Sequence, residues 1–139
     1  MKKAKPAKSR SKLVKALDNV YSQYIRLKTA DKDGNCVCVC CGKKEHWKKM
    51  QNGHYCSRTH YNTRWMDMNC AVCCIGCNVF KSGNYPEYTR YMLEVYGAEA
   101  LKDLIAESKK IIKIQNYELE EQIEKYTKIV NGLLDKLNK

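Results

Sequence analysis

The chain has 139 residues, the size of one domain with an extension, and a net charge of +11 at pH 7. It contains no run of about 18 apolar residues, which excludes a transmembrane helix, and its basic start lacks the apolar segment of a secretory signal. We therefore expect a cytoplasmic protein whose nine cysteines bind metal or lie buried rather than form disulfides.

Positive charge is concentrated in the first two thirds of the chain. Residues 1–12 carry six Lys or Arg and no acid, residues 13–97 carry twelve bases and seven acids, and residues 98–139 are neutral. This distribution favours a polyanionic partner, although a merely soluble surface with a basic tail is the alternative. Residues 1–12 are predicted to be a flexible basic arm that adds salt-sensitive, sequence-independent affinity for nucleic acid.

Apolar residues at three- and four-residue steps predict a first helix that begins at Ser11 and ends before the turn residues 31–35. Residues 36–73 lack this periodicity and are rich in Cys, Gly and aromatic residues, which predicts knuckles, a hairpin and loops. A short helix is expected to begin at the second cysteine pair and to end near Ser82.

The remainder of the chain is predicted to be helical. Asn84 and Glu87 have the spacing of a capping box, and Gly97 is a suitable end for the helix that follows them. Another helix covers about residues 98–110. The last helix has an apolar heptad seam: Leu119, Ile123, Tyr126, Val130, Leu133 and Leu137. Packing on the molecule's own helices is the preferred interpretation of this seam, and a homodimer contact is the alternative.

Two C-x2-C pairs predict a closed tetrahedral zinc site that stabilises the fold. The pair at residues 70 and 73 also has this spacing. We favour the later pair because Gly and Asn beside the pairs tolerate turns that direct backbone amides at thiolate sulfur. The predicted ligands are Cys38, Cys41, Cys74 and Cys77. The other cysteines are expected to be structural or buried: Cys36, Cys40, Cys56, Cys70 and Cys73.

The zinc site would bring His54 and Asn78 together, although they are 24 residues apart. A neutral histidine can take a proton from water, and an amide oxygen can hold a hard cation such as Mg²⁺ or Mn²⁺. Asn69 can accept the other ring N–H of the histidine. This pattern predicts metal-assisted phosphodiester hydrolysis. A lone histidine is more often structural, and His46 and His60 are interpreted in that way.

Basic and aromatic residues surround this predicted site in the sequence. The candidate phosphate contacts are Lys48, Lys49, Arg58, Arg64 and Lys81, and each of them is equally well explained as an ordinary surface charge. Tyr55, Trp65 and Tyr85 are candidates for stacking on an unpaired base, although core packing is the favoured interpretation.

At these residues the chain resembles the NinG/Rap recombination-nuclease family of lambdoid phages and prophages. The resemblance runs from about residue 17 to residue 96. It is carried by the stretches Gly53–Arg58, Thr63–Trp65, Cys77–Lys81 and Gly83–Tyr85. More broadly, the chain is similar to HNH, or ββα-metal, endonucleases in a zinc treble-clef setting, including junction resolvases of the endonuclease VII type.

This resemblance implies an α+β, mostly helical protein with a treble-clef core, an N-terminal helix and two to three C-terminal helices. It implies a nuclease domain at 13–97 followed by C-terminal helices at 98–139. The implied activity is endonucleolytic cleavage of branched double-stranded DNA, such as Holliday junctions and D-loops, in a bacterial or phage-infected cell. His54 matches the general base, Asn69 the residue that orients it, and Asn78 a ligand of the catalytic cation.

Two positions depart from the family pattern. HNH relatives usually have Asp or His directly before the base, where this chain has Gly53, and often a further His where it has Ser82. Asp67, His60 or waters are the candidates to complete the cation's ligand shell. These departures keep a second hypothesis open, a zinc-stabilised DNA-binding protein without catalysis. A redox or iron–sulfur protein is a third hypothesis, which only the number of cysteines favours.

Overall fold

The computed structural model describes residues 8–139. The chain is a mixed α+β protein in which helices predominate. Its helices are α1 (Arg10–Lys28), α2 (Tyr61–Arg64), α3 (Tyr85–Val95), α4 (Ala98–Ser108) and α5 (Asn116–Leu137). Its strands are β1 (Asn35–Val37), β2 (Lys44–His46), β3 (Gln51–His54) and β4 (Cys70–Cys73). Within the described residues, no helix is long and apolar enough to cross a membrane.

Helix α1 is the central element of the core. Ser9 caps it, because the Ser9 hydroxyl accepts a hydrogen bond from the Lys12 amide at 3.4 Å. Its buried side chains recur at four-residue steps on one face: Leu13, Leu17, Tyr21 and Ile25. This face packs on α5, where the Tyr21 and Tyr126 rings meet edge to face at 4.9 Å. The first and last helices are therefore parts of one hydrophobic core.

Two small antiparallel hairpins lie between α1 and α3. In the first, β1 pairs with β2. In the second, β3 pairs with β4 so that Gln51 lies opposite Cys73 and His54 lies opposite Cys70. The Val39 amide donates to the Val72 carbonyl at 3.0 Å and joins the first hairpin to the second. Helix α3 is fixed to β3, because the Tyr88 hydroxyl donates to the Gly53 carbonyl at 2.8 Å.

Gly53 lies in the most crowded part of the second hairpin. A Cβ atom at this position would be 2.4 Å from the Cys73 Sγ atom and 3.4 Å from the Tyr88 ring. A carboxylate directly before His54 would therefore require Cys73 to move in the packing between β3, β4 and α3.

Most of the predicted elements are present, and their ends differ by a few residues. Residues 1–7 of the predicted basic arm lie outside the described residues, whereas Arg10–Lys12 already belong to α1. The short helix predicted to begin at the second cysteine pair is a single π-helical turn, Gly76–Phe80, which contains Cys77 and which we call the π-turn. Gly97 does end α3, with a φ of +87° that favours glycine.

The predicted capping box at Asn84 is wrong. Asn84 precedes α3 but adopts a left-handed conformation with a φ of +47°, and its side chain makes no cap hydrogen bond. The side-chain Nδ2 atom of Asn84 instead lies 3.4 Å from the Cys77 sulfur. A capping box is found two helices later, at the start of α5, where the Gln115 amide donates to Glu118 at 2.6 Å.

The seam of the last helix packs on the molecule's own helices, as the preferred interpretation expects. Leu119 is fully buried, and Tyr126 and Val130 are nearly so. The other seam residues are partly buried against the same core: Ile123, Leu133 and Leu137. The seam thus forms part of the core that α5 shares with α1.

Shortening a seam side chain should destabilise the whole domain. Replacing Leu119, which is 0% exposed, by alanine is expected to cost about 2–5 kcal/mol of unfolding free energy, because it leaves a cavity between α1 and α5. Replacing Ile111, which is 100% exposed, by alanine should change this value by less than about 0.5 kcal/mol. Urea unfolding followed by circular dichroism measures both values. Equal stability of the two variants would contradict the shared core.

Candidate functional site

The structure brings the four predicted zinc ligands together. The sulfur atoms of Cys38, Cys41, Cys74 and Cys77 all lie within 4.8 Å of one another, and the Cys41 and Cys74 sulfurs are 3.6 Å apart. Sulfurs in a tetrahedral site with Zn–S bonds of about 2.3 Å are separated by about 3.8 Å. The quartet is therefore compatible with a structural zinc ion, and the later of the two candidate pairs supplies its second half.

Backbone turns shape both halves of the quartet. The Gly42 amide donates to the Cys38 carbonyl at 2.9 Å, and the φ of +80° at Gly42 closes this knuckle. In the second half, the Cys77 amide lies 3.4 Å from the Cys74 sulfur. With the Asn84 side-chain amide near Cys77, N–H groups thus approach the ligand sulfurs, which stabilises thiolates.

The remaining cysteines lie outside the quartet. Cys56 is half-buried. The other four are buried: Cys36, Cys40, Cys70 and Cys73. Burial raises the pKa of the Cys70 thiol to about 12, so this thiol stays protonated at neutral pH. These positions fit the prediction that the extra cysteines are structural or buried.

A cavity of about 630 Å³ lies beside the quartet and is lined by two of the three predicted catalytic residues. His54, the last residue of β3, and Asn78, in the π-turn directly after the ligand Cys77, both line it. The hairpin register fixes the first residue and the cysteine quartet fixes the second. The two residues therefore line one cavity, although they are 24 positions apart.

His54 is held as a neutral imidazole with one defined tautomer. Its Nε2 atom lies 2.9 Å from the Arg64 carbonyl oxygen, which can only accept, so Nε2 carries the proton and Nδ1 does not. The pKa of His54 is lowered to about 4, chiefly by burial; the hydrogen bond to the Arg64 carbonyl opposes this shift and the nearby Arg58 charge adds to it. The ring therefore offers a free basic nitrogen at neutral pH.

The predicted hydrogen bond between Asn69 and His54 is not found. Asn69 is fully buried, and its Oδ1 atom accepts a hydrogen bond from the Cys56 amide at 2.7 Å. Its Nδ2 atom donates to the carbonyls of Cys56 at 3.1 Å and of Thr63 at 3.0 Å. Asn69 thus fastens the two ends of the 56–63 loop, and this loop leads to the Arg64 carbonyl that orients His54. Its action on the histidine is indirect.

Asn78 is oriented by a residue that the sequence did not single out. Its Nδ2 atom donates to the Gln51 Oε1 atom at 2.6 Å, and its Oδ1 atom accepts no hydrogen bond from the described residues. The amide oxygen of Asn78 is therefore available for a ligand in the cavity. A second amide oxygen, Asn52 Oδ1, is buried and has no hydrogen-bond partner among residues 8–139, although Asn52 also lines the cavity.

The cavity carries net positive charge. Arg26 and Arg58 line it, and Asp18 is the one acidic residue within the described chain that does so. The Asp18 carboxylate is neutralised by Arg64, whose Nε atom donates to it at 3.0 Å, and it also accepts from the Trp65 indole at 3.0 Å. A phosphate group would therefore meet uncompensated guanidinium charge in this cavity.

Neither candidate for completing a cation's ligand shell lies in this cavity. The Asp67 carboxylate accepts hydrogen bonds from Tyr21 and Tyr24 and pairs with Lys28 at 3.6 Å, and it faces a different cavity. His60 is exposed and precedes α2. Ser82 does line the cavity, but it supplies a hydroxyl where relatives often have an imidazole. Of the candidates named from the sequence, Asp67 and His60 thus lie outside this cavity, which leaves waters to complete the shell.

The predicted phosphate contacts fall into two groups. Four of them are exposed: Lys48, Lys49, Arg58 and Lys81. Of these, Arg58 lines the cavity. Arg64 is different, because its guanidinium is half-buried and held by Asp18 and by the Arg58 carbonyl at 2.8 Å. Arg64 therefore holds the structure together rather than presenting a free cation.

Sequence reasoning missed the contribution of α1 to the cavity. Asp18, Ser22 and Arg26 recur every four residues on one face of the helix, and all three line the cavity. This spacing was visible in the sequence as a polar stripe. It was overlooked because a polar face of an amphipathic helix usually faces solvent.

Comparison with known proteins supports one family. A family model described as the bacteriophage lambda NinG protein matches residues 1–136. Neither the curated proteins nor the solved structures contain a match to the chain. The match covers nearly the whole chain, including the C-terminal helices, whereas the resemblance described above runs from about residue 17 to residue 96.

Removing one quartet sulfur should abolish zinc binding and cooperative folding. We expect about one zinc per chain in the wild type, and loss of that zinc in Cys74→Ser, because structural zinc contributes on the order of 10 kcal/mol to folding. Cys56→Ser lies outside the quartet and should retain the zinc. Colorimetric zinc release and thermal unfolding measure these outcomes. Full zinc retention by Cys74→Ser would exclude this ligand set.

The His54 ring should remain neutral far below the pH at which histidine ordinarily titrates. With a pKa of about 4, its ring signals should not shift between pH 8 and pH 5.5, whereas an ordinary histidine with a pKa of about 6.5 is largely protonated at the lower pH. Two-dimensional NMR of the imidazole groups measures this, with His54→Gln as the assignment control. A His54 midpoint near pH 6.5 would refute the buried, neutral ring.

Proposed function

Because this chain belongs to the family of the bacteriophage lambda NinG protein, we propose that it is a divalent-metal-dependent endonuclease that cuts branched DNA. Holliday junctions and D-loops in a phage-infected or lysogenic cell are the substrates that we propose. The observation that carries this proposal is the placement of a basic imidazole nitrogen and a free amide oxygen in one positively charged cavity. This combination suits hydrolysis of a phosphodiester.

We assign the role of general base to His54. The Arg64 carbonyl holds the Nε2 proton, so the unprotonated Nδ1 atom can take a proton from an attacking water. The low pKa keeps this nitrogen free at neutral pH, and it also makes His54 a weak base. Negative charge from a bound phosphate would raise this pKa toward the operating pH and so strengthen the base when substrate is present.

The oxygen atoms in the cavity fit a hard cation that keeps most of its water ligands. Asn78 would hold it through Oδ1, since Gln51 occupies the amide nitrogen. When bound, Mg²⁺ or Mn²⁺ would neutralise the scissile phosphate and stabilise the leaving oxygen. Gln51 acts here as a positioning residue, because it determines which end of the Asn78 amide is available.

We infer that the core is the treble-clef form of the ββα-metal fold. A knuckle with two ligand cysteines, the β3–β4 hairpin with the base, and the π-turn with Asn78 follow one another in the order expected for that fold. The structural zinc would hold the two ends of this unit. Its four protein ligands leave no open coordination position for chemistry, so catalysis would take place in the neighbouring cavity.

DNA binding would use the basic residues in and around the cavity. In the cavity Arg58 is exposed and Arg26 is half-buried, and the exposed Lys81 follows the π-turn. Such side chains contact phosphates without reading the base sequence, so affinity should fall as salt rises. Lys48 and Lys49 extend this exposed basic surface from the loop that leads into β3.

One observation favours a second candidate function, a DNA-binding protein without catalysis. Asp18 is the sole carboxylate that lines the cavity within the described part of the chain, and Arg64 and Trp65 already occupy it. A cation would then have neutral oxygen ligands alone, which bind Mg²⁺ less firmly than carboxylates do. The same protein would bind junctions and leave them intact.

A cleavage assay separates the two functions. Wild-type protein should nick a four-way junction in Mg²⁺ or Mn²⁺ and not in EDTA. His54→Ala should lose at least about 100-fold in nicking rate, which is the contribution typical of a positioned base, while its junction affinity stays unchanged. Nicking is followed on denaturing gels and affinity by fluorescence anisotropy.

His46→Ala is the matched control, because His46 lies on β2 and does not line the cavity. This variant should cut like the wild type. Junction binding without any nicking by wild-type protein in either cation would favour the binding protein. Nicking that survives His54→Ala would refute the assignment of the base.

A further inference from the structure

Exposed apolar side chains form one rim of the cavity. Val79 is 53% exposed, Phe80 is 79% exposed, and Tyr85 is 44% exposed. Val79 and Tyr85 line the cavity, and Phe80 follows Val79 in the π-turn. Phe80 is also the single phenylalanine of the chain. These three side chains together form an exposed apolar patch at the cavity, and such patches mark surfaces that contact a partner.

The rim is held in place before any partner binds. The π-turn carries the ligand Cys77 and is closed by the Lys81 amide, which donates to the Gly76 carbonyl at 2.9 Å. The Tyr85 ring packs edge to face on Tyr55 at 5.8 Å. An apolar surface that is fixed in this way loses little conformational entropy when a partner covers it.

The charges around the rim identify the chemistry of that partner. Arg58 and Arg26 lie in the same cavity, and Lys81 directly follows Phe80. A partner must therefore combine negative charge with a flat apolar face. A nucleic acid whose base is exposed has both features, because its phosphates suit the basic residues and its base can stack on an aromatic ring.

We propose that Phe80, together with Val79, is a wedge that packs against a base exposed at a DNA branch point. This inference rests on the proposed function and adds to it the source of the preference for branched DNA. In a linear duplex each base is stacked on both faces, so the wedge would have to unstack a base step first. At a branch point the stack is already interrupted, and the wedge can bind without that cost.

The other aromatic residues near the cavity are less suited to this role. The Trp65 ring is half-buried, lies beside the Arg64 guanidinium, and donates its indole N–H to Asp18. Tyr55 is half-buried and donates or accepts a hydrogen bond with Thr89 at 2.9 Å. Both therefore pack within the protein, as the sequence-based interpretation favoured, whereas Phe80 is free to meet a base.

Binding of two DNAs of the same sequence tests the wedge. Fluorescence anisotropy in EDTA compares a four-way junction with a linear duplex, so that no cutting takes place. Phe80→Ser should weaken junction binding about tenfold, as expected for the loss of one base–aromatic stack, and leave duplex binding unchanged. Phe80→Trp should keep the preference for the junction, and its indole fluorescence should be quenched by bound junction.

Ile111→Ser is the matched control, because Ile111 is fully exposed in the segment between α4 and α5, away from the cavity. This variant should bind both DNAs like the wild type. An equal junction-to-duplex affinity ratio in wild type and Phe80→Ser would overturn the wedge. Sedimentation that shows a wild-type dimer and a Phe80→Ser monomer would also overturn it, since the rim would then bind a second copy of the chain.

The wedge and the nuclease can fail independently. Selective junction binding that Phe80→Ser abolishes, in a protein that never nicks DNA, supports the wedge and refutes the nuclease. Nicking that requires His54 but has the same branch preference in Phe80→Ser refutes the wedge alone. Zinc content and thermal unfolding of each variant establish that the fold is intact.

Discussion

The convergence of four cysteine sulfurs is the constraint on which the rest of this structure depends. The quartet joins the knuckle after β1 to the segment that follows β4 and enters the π-turn. Asn78 follows Cys77 directly, so the clamp also fixes the carboxamide. The β3–β4 register then places His54 at the end of β3, opposite Cys70. The two side chains need no contact with each other, because each is fixed by the same scaffold.

The surroundings of His54 determine both its protonation state and its tautomer. Burial disfavours the charged ring, while the carbonyl of Arg64 selects which nitrogen keeps the proton. Since the folded protein lowers this pKa below its unfolded value, the unfolded chain binds the extra proton between about pH 6.5 and pH 4. Stability therefore decreases as the pH falls through this range. The burial that keeps the His54 ring neutral at neutral pH therefore also makes the folded protein less stable in acid.

What could be predicted from the sequence was local or periodic. The C-x2-C spacing with its flanking Gly and Asn predicted which four cysteine sulfurs converge, and the heptad spacing of Leu119, Tyr126 and Val130 predicted the buried face of α5. Asn84 was misassigned because a nearby sulfur competed successfully with the helix end for its side chain. The pairing of Gln51 with Asn78 and the tie between Asn69 and Thr63 depend on how separate segments meet. No spacing rule reports such contacts.

The crowding at Gly53 has a consequence for how this family can diverge. Because Cys73 Sγ occupies the space that any side chain at position 53 would need, the two positions are sterically linked. A homologue that carries an acidic residue before the histidine requires a smaller residue opposite it, or a wider gap between the hairpin and α3. Substitutions at positions 53 and 73 should therefore covary across an alignment, and grafting an aspartate into this chain calls for a paired exchange rather than a single one.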